Sequence, residues 1–413
     1  MATAYTPRLI DGALGRFVAA LPAVALVGPR ATGKTTTARR LAASVVRLDR
    51  PGEAEAFAAD PDGALRAFPE PVLLDEWQAV PKVLGAVKRA VDDDSRPGRF
   101  LLTGSVRADL DSETWPGTGR LVRLPMFGLT IRELEGRNEG STFLDRLATA
   151  DIDAFAVPTA SPDLSGYVAL ALRGGYPDAV LRLEGDVRQA WLDSYLDQLL
   201  TRDASAVAGS RDPARLRRFF EALALNTAGV TEDKTLYDAA GIDRKTADAY
   251  ARLLTNLYVL EALPAWATNR LSRLAKGPKR YLVDPSLASA ALRLDIPAVL
   301  RDGNLLGRLI DTFVAAQLRP ELAVSPSRPR LYHLREKAGR REVDLIAELA
   351  ADRVVAVEVK ATASPRPDDA RHLTWLRDEL DNRFLAGAVL HTGPHRYPIG
   401  ERLFALPICS IWG

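Results

Sequence analysis

The alternation of hydrophobic and polar residues divides the chain into three parts. The first contains short apolar runs at 24–27, 71–74 and 100–102, each followed by small or acidic residues. This pattern is typical of buried parallel strands. From about 130 to 230, apolar residues recur every three or four positions, as in "VRQAWLDSYLDQLL" (187–200), which predicts amphipathic helices. Alternation of hydrophobic and polar residues appears in the third part, in "EVDLIAEL" (342–349) and "VVAVEVK" (354–360), and predicts two strands.

A phosphate-binding loop follows the first apolar run. Gly28, Gly33, Lys34 and Thr35 fit the pattern G-x-x-x-x-G-K-[ST], and "TTTARRLAAS" (35–44) is predicted to continue as a helix. Thr36, in its first turn, is also predicted to bind nucleotide. Glycines let backbone N–H groups close around phosphate oxygens, and the N-terminus of a helix favours negative charge. Lys34 would reach the β- and γ-phosphates and the Thr35 hydroxyl would bind Mg²⁺. The loop therefore predicts ATP and Mg²⁺ as cofactors.

Polar residues at the ends of the next two strands extend this site. In "PVLLDEWQ" (71–78), Asp75 is expected in the Mg²⁺ shell and Glu76 beside the attacking water. Ser105 ends "RFLLTGS" and fits a γ-phosphate sensor and a capping serine equally well. Arg120 in "GTGRLVRL" fits an arginine finger, in cis or in trans, as well as a solvated surface arginine.

These motifs resemble a family of predicted AAA-type ATPases of bacteria and archaea that carry a C-terminal domain of unknown function. The resemblance continues through "GGYPDAV" (174–180) and "KRYLVDPSLASAAL" (279–292) and covers nearly the whole chain. The expected fold is α/β. We predict four parts: a P-loop AAA-type ATPase domain at 1–140, a helical connector at 141–230, a winged helix at 231–300 and a restriction-endonuclease-like α/β domain at 301–413.

The winged-helix prediction depends on "TLYDAAGIDRKTADAYARLLTNLYVLEAL" (235–263). Gly241 ends one helix, Asp243 caps the next, and two strands would form the wing. Basic residues of the second helix and the wing could contact DNA phosphates: Arg244, Lys245, Arg252, Arg270, Arg273, Lys276, Lys279 and Arg280. Winged helices also serve as protein-binding modules, so the sequence is compatible with DNA binding and with protein binding.

The last part of the chain resembles the core motif of the restriction-endonuclease-like fold. A turn at 351–352 sets Asp344 opposite Glu358 and Lys360, which share one face of their strand about 7 Å apart. The carboxylates could hold Mg²⁺ while Lys360 orients a water. Asp311, on a helix at 303–322, occupies the place of a third acid, where glutamate is commoner. Plain alternation on a solvent-facing strand would produce the same residues.

Composition restricts the remaining choices. One cysteine and four histidines among 413 residues exclude a disulfide framework and a cysteine zinc site. The net charge of +2 requires any DNA contact to come from local patches. We expect a cytoplasmic protein without a membrane span, with ATP, DNA and a protein partner or second copy as candidate partners. Two hypotheses follow: an ATP-dependent nuclease acting on DNA, or an ATP-driven switch in signalling or defence whose C-terminal domain binds a protein without cleaving.

Overall fold

The computed structural model describes residues 4–106, 119–203, 212–269, 272–273, 276–336 and 340–413. Two compact units emerge from the contacts between residues: the first is 1–129 together with 256–258, and the second is 130–255 together with 259–413. The boundaries of the four predicted parts remain predictions. Arg270, predicted to contact DNA, lies outside the described residues.

A five-stranded parallel sheet forms the centre of the first unit, in the order β2-β3-β4-β1-β5. Its strands are β1 (Ala23–Val27), β2 (Ser44–Arg47), β3 (Val72–Asp75), β4 (Phe100–Gly104) and β5 (Val122–Pro125). Every residue of β1, β3 and β4 is buried. Burial on both faces explains why these strands are continuous apolar runs, and it confirms the three strands predicted there.

Helices cover this sheet: α1 (Ile10–Ala20), α2 (Lys34–Arg39), α3 (Pro51–Ala59), α4 (Pro61–Arg66) and α5 (Val83–Asp93), with a 3₁₀ turn at Trp77–Ala79. In α5 the buried Val83, Val87 and Val91 recur every four residues and face the core. The helix after the phosphate loop is shorter than the pattern predicted. It ends at Arg39, because the residues from Ser44 onward enter the sheet as β2.

The second unit begins with helices, as the periodicity predicted. They are α6 (Ile131–Leu134), α7 (Phe143–Leu147), α8 (Leu164–Arg173), α9 (Pro177–Leu181), α10 (Gly185–Gln198), α11 (Pro213–Leu225), α12 (Asp233–Ala240) and α13 (Arg244–Asn256). A 3₁₀ turn lies at Ile152–Ala154 and a π-helical turn at Leu199–Asp203. Within the described residues, no helix is both long and apolar enough to span a bilayer.

A short antiparallel pair of strands, β6 (Leu260–Leu263) and β7 (Lys279–Leu282), follows α13. Gly241 ends α12 with φ of 64°, and the Asp243 carboxylate accepts a hydrogen bond of 3.0 Å from the Thr246 N–H. Both features agree with the sequence prediction: a glycine in the left-handed conformation ends one helix, and an aspartate caps the next.

Four further helices complete the second unit: α14 (Ser286–Leu292), α15 (Ile296–Arg301), α16 (Gly303–Leu318) and α17 (Arg371–Leu380). The predicted helix at 303–322 ends at Leu318 and continues as a 3₁₀ turn at Arg319–Ala323. Other 3₁₀ turns lie at Ala350–Asp352, Pro367–Ala370, Asp381–Arg383 and Ile408–Ile411.

A six-stranded mixed sheet ends the chain, in the order β12-β13-β11-β10-β9-β8. Its strands are β8 (Arg330–Arg335), β9 (Glu342–Glu348), β10 (Val354–Lys360), β11 (Phe384–His391), β12 (Tyr397–Gly400) and β13 (Leu403–Pro407). Strands β9 and β10 are antiparallel, with Leu345 beside Val357. The turn between them contains Ala351 and Asp352 at positive φ, where the sequence placed it.

This sheet is more deeply buried than the alternating pattern suggested. Five consecutive residues of β10, from Val354 to Glu358, are buried, and so are four of β9, from Leu345 to Glu348. One core cluster joins Val354 and Phe384 of the sheet to Leu373 and Leu376 of α17. The alternative that these acids merely lie on a solvent-facing strand does not fit this burial, because α17 packs against the sheet.

Candidate nucleotide site and buried carboxylate cluster

The phosphate loop requires glycine at two positions. Gly28 has φ of 150°, and a Cβ atom there would lie 1.9 Å from the carbonyl oxygen of Met126. Gly33 has φ of 90° and immediately precedes α2. No side chain fits the first position and few residues adopt the second conformation, so the loop follows a path that only glycine allows.

Lys34 is buried within the loop. Its Nζ atom donates hydrogen bonds to the carbonyl oxygens of Gly28, at 3.0 Å, and Pro29, at 2.5 Å. Burial lowers the pKa of the Lys34 ammonium to about 8, although the charges of Glu76 and Asp75 oppose that shift. The ammonium therefore lies among the backbone groups that would surround a phosphate.

Asp75, at the end of β3, connects the start of α2 with the end of β4. Its Oδ1 atom accepts a hydrogen bond of 2.7 Å from the Thr35 hydroxyl and another from the Thr103 hydroxyl at the end of β4. A hydroxyl beside a carboxylate is the pair of oxygen ligands that Mg²⁺ takes in phosphate-loop proteins. The residues present therefore fit a magnesium nucleotide. Thr36, also predicted to bind nucleotide, is exposed on α2.

Glu76 and Ser105 lie together near the carboxyl ends of β3 and β4. Glu76 has φ of 52°, and its Oε2 atom accepts hydrogen bonds from the Gln78 amide and, at 3.4 Å, from the Ser105 hydroxyl. Gln78 also donates to the Ser105 hydroxyl at 3.3 Å. Arg120 forms an ion pair with Asp92 of α5.

Sequence reasoning missed the roles of Gln78 and Thr103. Gln78 is the last residue of "PVLLDEWQ", two positions after Glu76, and Thr103 precedes Ser105 by two positions on β4. Because β3 and β4 are adjacent and parallel, polar residues near their carboxyl ends face a common edge. The position of Thr103 at the end of an apolar run was the available signal in the sequence, whereas the contact of Gln78 depends on the turn after β3.

The predicted DNA-contacting residues have different positions. Arg244, Lys245 and Arg252 are exposed on α13. Arg280 pairs with Asp233. Lys279, in contrast, is only 2% exposed. The prediction that Lys279 contacts DNA is corrected by this burial, because no phosphate can approach its ammonium group.

Lys279 joins the acidic residues predicted for the metal site. Its Nζ atom lies 2.6 Å from Oδ2 of Asp311 and 2.8 Å from Oδ1 of Asp344. The second oxygen of Asp311 accepts a hydrogen bond of 3.0 Å from the Tyr281 hydroxyl. The second oxygen of Asp344 accepts one of 2.9 Å from the Val359 N–H. Asp311 thus lies close to Asp344, as the helix position predicted, but an ammonium group lies between them.

Glu358 and Lys360 complete this group, which we call the carboxylate cluster: Lys279, Asp311, Asp344, Glu358 and Lys360. Lys360 Nζ contacts Oε1 of Glu358 at 2.7 Å. Oε2 of Glu358 is buried without a hydrogen-bond partner among the described residues. Within those residues, no set of three or more carboxylate, histidine or cysteine side chains is arranged to hold a metal ion. Metal binding by Asp311, Asp344 and Glu358 therefore remains a prediction.

Burial and charge set the protonation of the cluster. Burial raises the pKa of Asp311 to about 7 and the pKa of Glu358 to about 8, and the charge of Asp344 adds to both shifts. Burial also acts against ionised Asp344, but Lys279 outweighs it and holds the pKa of that carboxyl below its usual value. The pKa of Lys279 is well above its usual value, because its two carboxylate partners overcome the effect of burial.

Comparison with known proteins supports the first unit directly. Residues 21–135 match the AAA domain family, which confirms the predicted AAA-type ATPase domain. Residues 165–297 match a domain of unknown function (DUF8612), and residues 306–411 match another (DUF4143). A solved structure, "The walker-type atpase paby2304 of pyrococcus abyssi", is 15% identical with a TM-score of 0.42, over 69% of this chain and 94% of that chain.

Two curated relatives match nearly the whole chain. They are "Uncharacterized protein Rv2008c" of Mycobacterium tuberculosis and "Uncharacterized protein Mb2031c" of Mycobacterium bovis. Each is 30% identical over 397 residues, which cover 94% of this chain and 81% of the relative. The chain therefore belongs to the same family as these two mycobacterial proteins, and its N-terminal part is an AAA domain.

Proposed function

We propose that this protein binds and hydrolyses ATP with Mg²⁺ at the phosphate loop. The observation that carries the proposal is the contact of Asp75 with the hydroxyls of Thr35 and Thr103, beside the buried ammonium of Lys34. Lys34 would exchange its carbonyl contacts for phosphate oxygens, and Thr35 and Asp75 would hold Mg²⁺, which when bound would supply positive charge beside the transferring phosphoryl group.

Glu76 is the proposed base. Its carboxylate polarises the attacking water, and its contacts with Gln78 and Ser105 hold it near the carboxyl ends of the strands. In this arrangement Ser105 acts as the sensor of the γ-phosphate, because any shift of its hydroxyl changes the position of Glu76. Arg120 is proposed as an arginine finger that leaves Asp92 when nucleotide binds, in cis or towards a second copy.

Substitution of Lys34 and Glu76 tests the ATPase proposal. Lys34→Ala should abolish measurable hydrolysis, and Glu76→Gln should lower kcat by roughly 10²–10⁴ while nucleotide still binds. Lys82→Ala provides a matched control, since Lys82 is exposed at the start of α5. Phosphate release measures turnover, and a fluorescent ATP analogue measures binding. Full turnover in Lys34→Ala would refute the assignment.

We further propose that the protein acts as an ATP-driven switch whose C-terminal domain does not cleave nucleic acid in the conformation described. The order of β8 to β13, with Asp344 and Glu358 on adjacent strands, supports the restriction-endonuclease-like fold. The ammonium of Lys279 between Asp311 and Asp344 supports the absence of cleavage. Plasmid and single-stranded DNA with Mg²⁺ should remain intact with and without ATP, and cleavage lost in Glu358→Ala would favour the nuclease instead.

A DNA-binding role has separate support from α12, α13 and the strand pair β6–β7, the elements of a winged helix. Arg244 and Lys245 begin α13 and are exposed. Changing both to alanine should weaken DNA binding and flatten its dependence on salt, because fewer counterions are released. Lys234→Ala, on the preceding helix, is the control. An unchanged salt slope would leave the protein-binding role as the better interpretation of this element.

A further inference from the structure

A buried arginine near the start of the chain contacts the phosphate loop. Arg8 lies before α1 and is only 5% exposed. Its Nη1 atom donates a hydrogen bond of 2.8 Å to the Thr32 carbonyl oxygen within the loop. Its Nη2 atom donates to the carbonyl oxygens of Phe127, at 2.8 Å, and Gly128, at 3.1 Å, which follow β5. One guanidinium group therefore joins the phosphate loop to the chain after β5.

The contact with Thr32 fixes the direction of one peptide group in the loop. The C=O and N–H groups of a trans peptide lie in one plane and point in opposite directions. Because Arg8 holds the Thr32 carbonyl oxygen, the Gly33 N–H points away from Arg8. Backbone N–H groups of this loop are the donors that would close around phosphate oxygens. The hydrogen bond of Arg8 thus sets the orientation of one of these donors.

The backbone around this peptide depends on such support. Ala31 has φ of 58° and Gly33 has φ of 90°, so two residues beside Thr32 are in the left-handed region. Residues in sparsely populated backbone regions keep their conformation only when surrounding contacts hold them. A hydrogen bond from a charged donor is among the stronger contacts that can do so.

The same part of the loop is linked to Lys34. The Thr32 hydroxyl donates a hydrogen bond of 2.9 Å to the Pro29 carbonyl oxygen, which also accepts one of 2.5 Å from Nζ of Lys34. Thr32 is 1% exposed, so water does not compete for these contacts. A displacement of Thr32 would therefore also disturb the ammonium group of Lys34.

The position of Arg8 is itself fixed by its neighbours. Its backbone N–H donates a hydrogen bond of 3.0 Å to Oδ2 of Asp11 on α1. Oδ1 of Asp11 accepts one of 2.7 Å from the Tyr5 hydroxyl, which lies 3.1 Å from the Thr37 hydroxyl on α2. These contacts attach the segment around Arg8 to the helix that follows the phosphate loop.

We propose that Arg8 is a positioning residue of the ATP site. Through the Thr32 carbonyl oxygen, its guanidinium group orients the Gly33 N–H towards a phosphate oxygen of the nucleotide. Arg8 acts on the backbone of the loop and not on the nucleotide itself. This inference rests on the proposed ATPase activity and adds to it a residue that precedes β1.

Steady-state ATP hydrolysis by the full chain tests the proposal. Arg8→Ala should raise the KM for ATP by roughly 10-fold or more, because a charged hydrogen bond that orients a phosphate donor is lost. Arg99→Ala is the matched control. The Arg99 side chain is 11% exposed and also donates to backbone carbonyl oxygens, those of Ala90 and Asp94. Arg99 precedes β4, whereas the phosphate loop follows β1, so the control lies at the opposite end of the parallel sheet.

The separate values of KM and kcat distinguish positioning from a loss of folded protein. A variant that is merely destabilised contains fewer folded molecules, which lowers the apparent kcat and leaves KM unchanged. Arg99→Ala should therefore keep the wild-type KM. A wild-type KM in Arg8→Ala as well would overturn the inference about Arg8, whereas turnover by the wild type would still support the ATPase proposal. Without turnover by the wild type, both proposals would be overturned.

Arg8→Lys decides the question if Arg8→Ala does not fold. Lysine keeps the positive charge but lacks the planar fork of donors, so one ammonium group cannot hold carbonyl oxygens on both sides as Arg8 does. This variant should fold and should raise the KM by a smaller factor, roughly 3-fold. A KM equal to that of the wild type would overturn the inference.

Discussion

The substitution Gly28→Ala tests how strictly the phosphate loop depends on its backbone path. A Cβ atom at this position would lie 1.9 Å from the Met126 carbonyl oxygen, and φ is 150°. Real Cβ contacts are never that short, so either the loop or the chain after β5 must move. The Gly28 carbonyl accepts a hydrogen bond from Lys34, so a shift of this residue also displaces the ammonium.

The backbone strain at position 28 sets the expected loss of ATP affinity in Gly28→Ala. A non-glycine residue held in a sparsely populated backbone region costs about 1–3 kcal/mol. Because ATP binding requires the native path, that cost appears as roughly 5-fold to 140-fold weaker binding, since each 1.4 kcal/mol is tenfold. Hydrolysis should fall at least as much, because Lys34 would no longer be placed for the transferring phosphate.

The assay is titration with a fluorescent ATP analogue, together with thermal unfolding. Gly52→Ala is the matched control: Gly52 lies in the first turn of α3, and a Cβ atom there would meet nothing within 4 Å. That variant should bind ATP as the wild type does. If Gly28→Ala bound the analogue within twofold of Gly52→Ala, the steric argument for the loop would be refuted.

Two further predictions concern stability of the second unit. Glu321→Gln should lower the free energy of unfolding by about 3–5 kcal/mol, because it leaves the buried Arg132, now 2.7 Å from the Glu321 carboxylate, without its charge partner. Denaturant unfolding measures this, and a loss under about 1 kcal/mol would contradict it. Burial lowers the pKa of His333 to about 4, and its ring contacts the Gly277 carbonyl. As pH falls, the His333 imidazole therefore takes up a proton in the unfolded chain before it does so in the folded protein. Between about pH 6.5 and 4, the free energy of unfolding should fall by at most about 1.4 kcal/mol per pH unit. His333→Gln should show a flatter pH dependence of unfolding over that range, and an identical dependence would refute the assignment.

Much of the nucleotide site could be predicted from sequence, because its residues come directly after strands that the hydrophobic pattern already predicts. Lys34 and Thr35 follow β1, and Asp75 ends β3. In a parallel sheet the carboxyl ends of the strands lie at one edge, so this local spacing was enough to place the three residues together. The match of residues 21–135 to the AAA domain family agrees with that prediction. Gln78 was missed because its contact depends on the positive φ of Glu76, which no periodicity reveals.

The carboxylate cluster shows the opposite case. The alternation of β9 and β10 correctly placed Asp344 near Glu358, and the helix position placed Asp311 nearby. Nothing in the local pattern distinguished Lys279 from the other basic residues of the segment, so it was predicted to contact DNA. Its burial results from the packing of β7 against elements more than 30 residues away, as its bond to Asp311, 32 positions along the chain, shows.

The sequence by itself therefore determined β1, β3, β4, β9 and β10, the helical character of 130–230 and the phosphate loop, because spacing and hydrophobic period are local properties of the chain. Only the tertiary structure decided which charges meet in the interior. Hydrophobic alternation reports that a residue such as Glu358 lies on the polar face of a strand, but not what covers that face. Lys279 lies in the interior beside Asp311 and Asp344, and the electrostatics of burial make its ammonium the partner that these buried acids require.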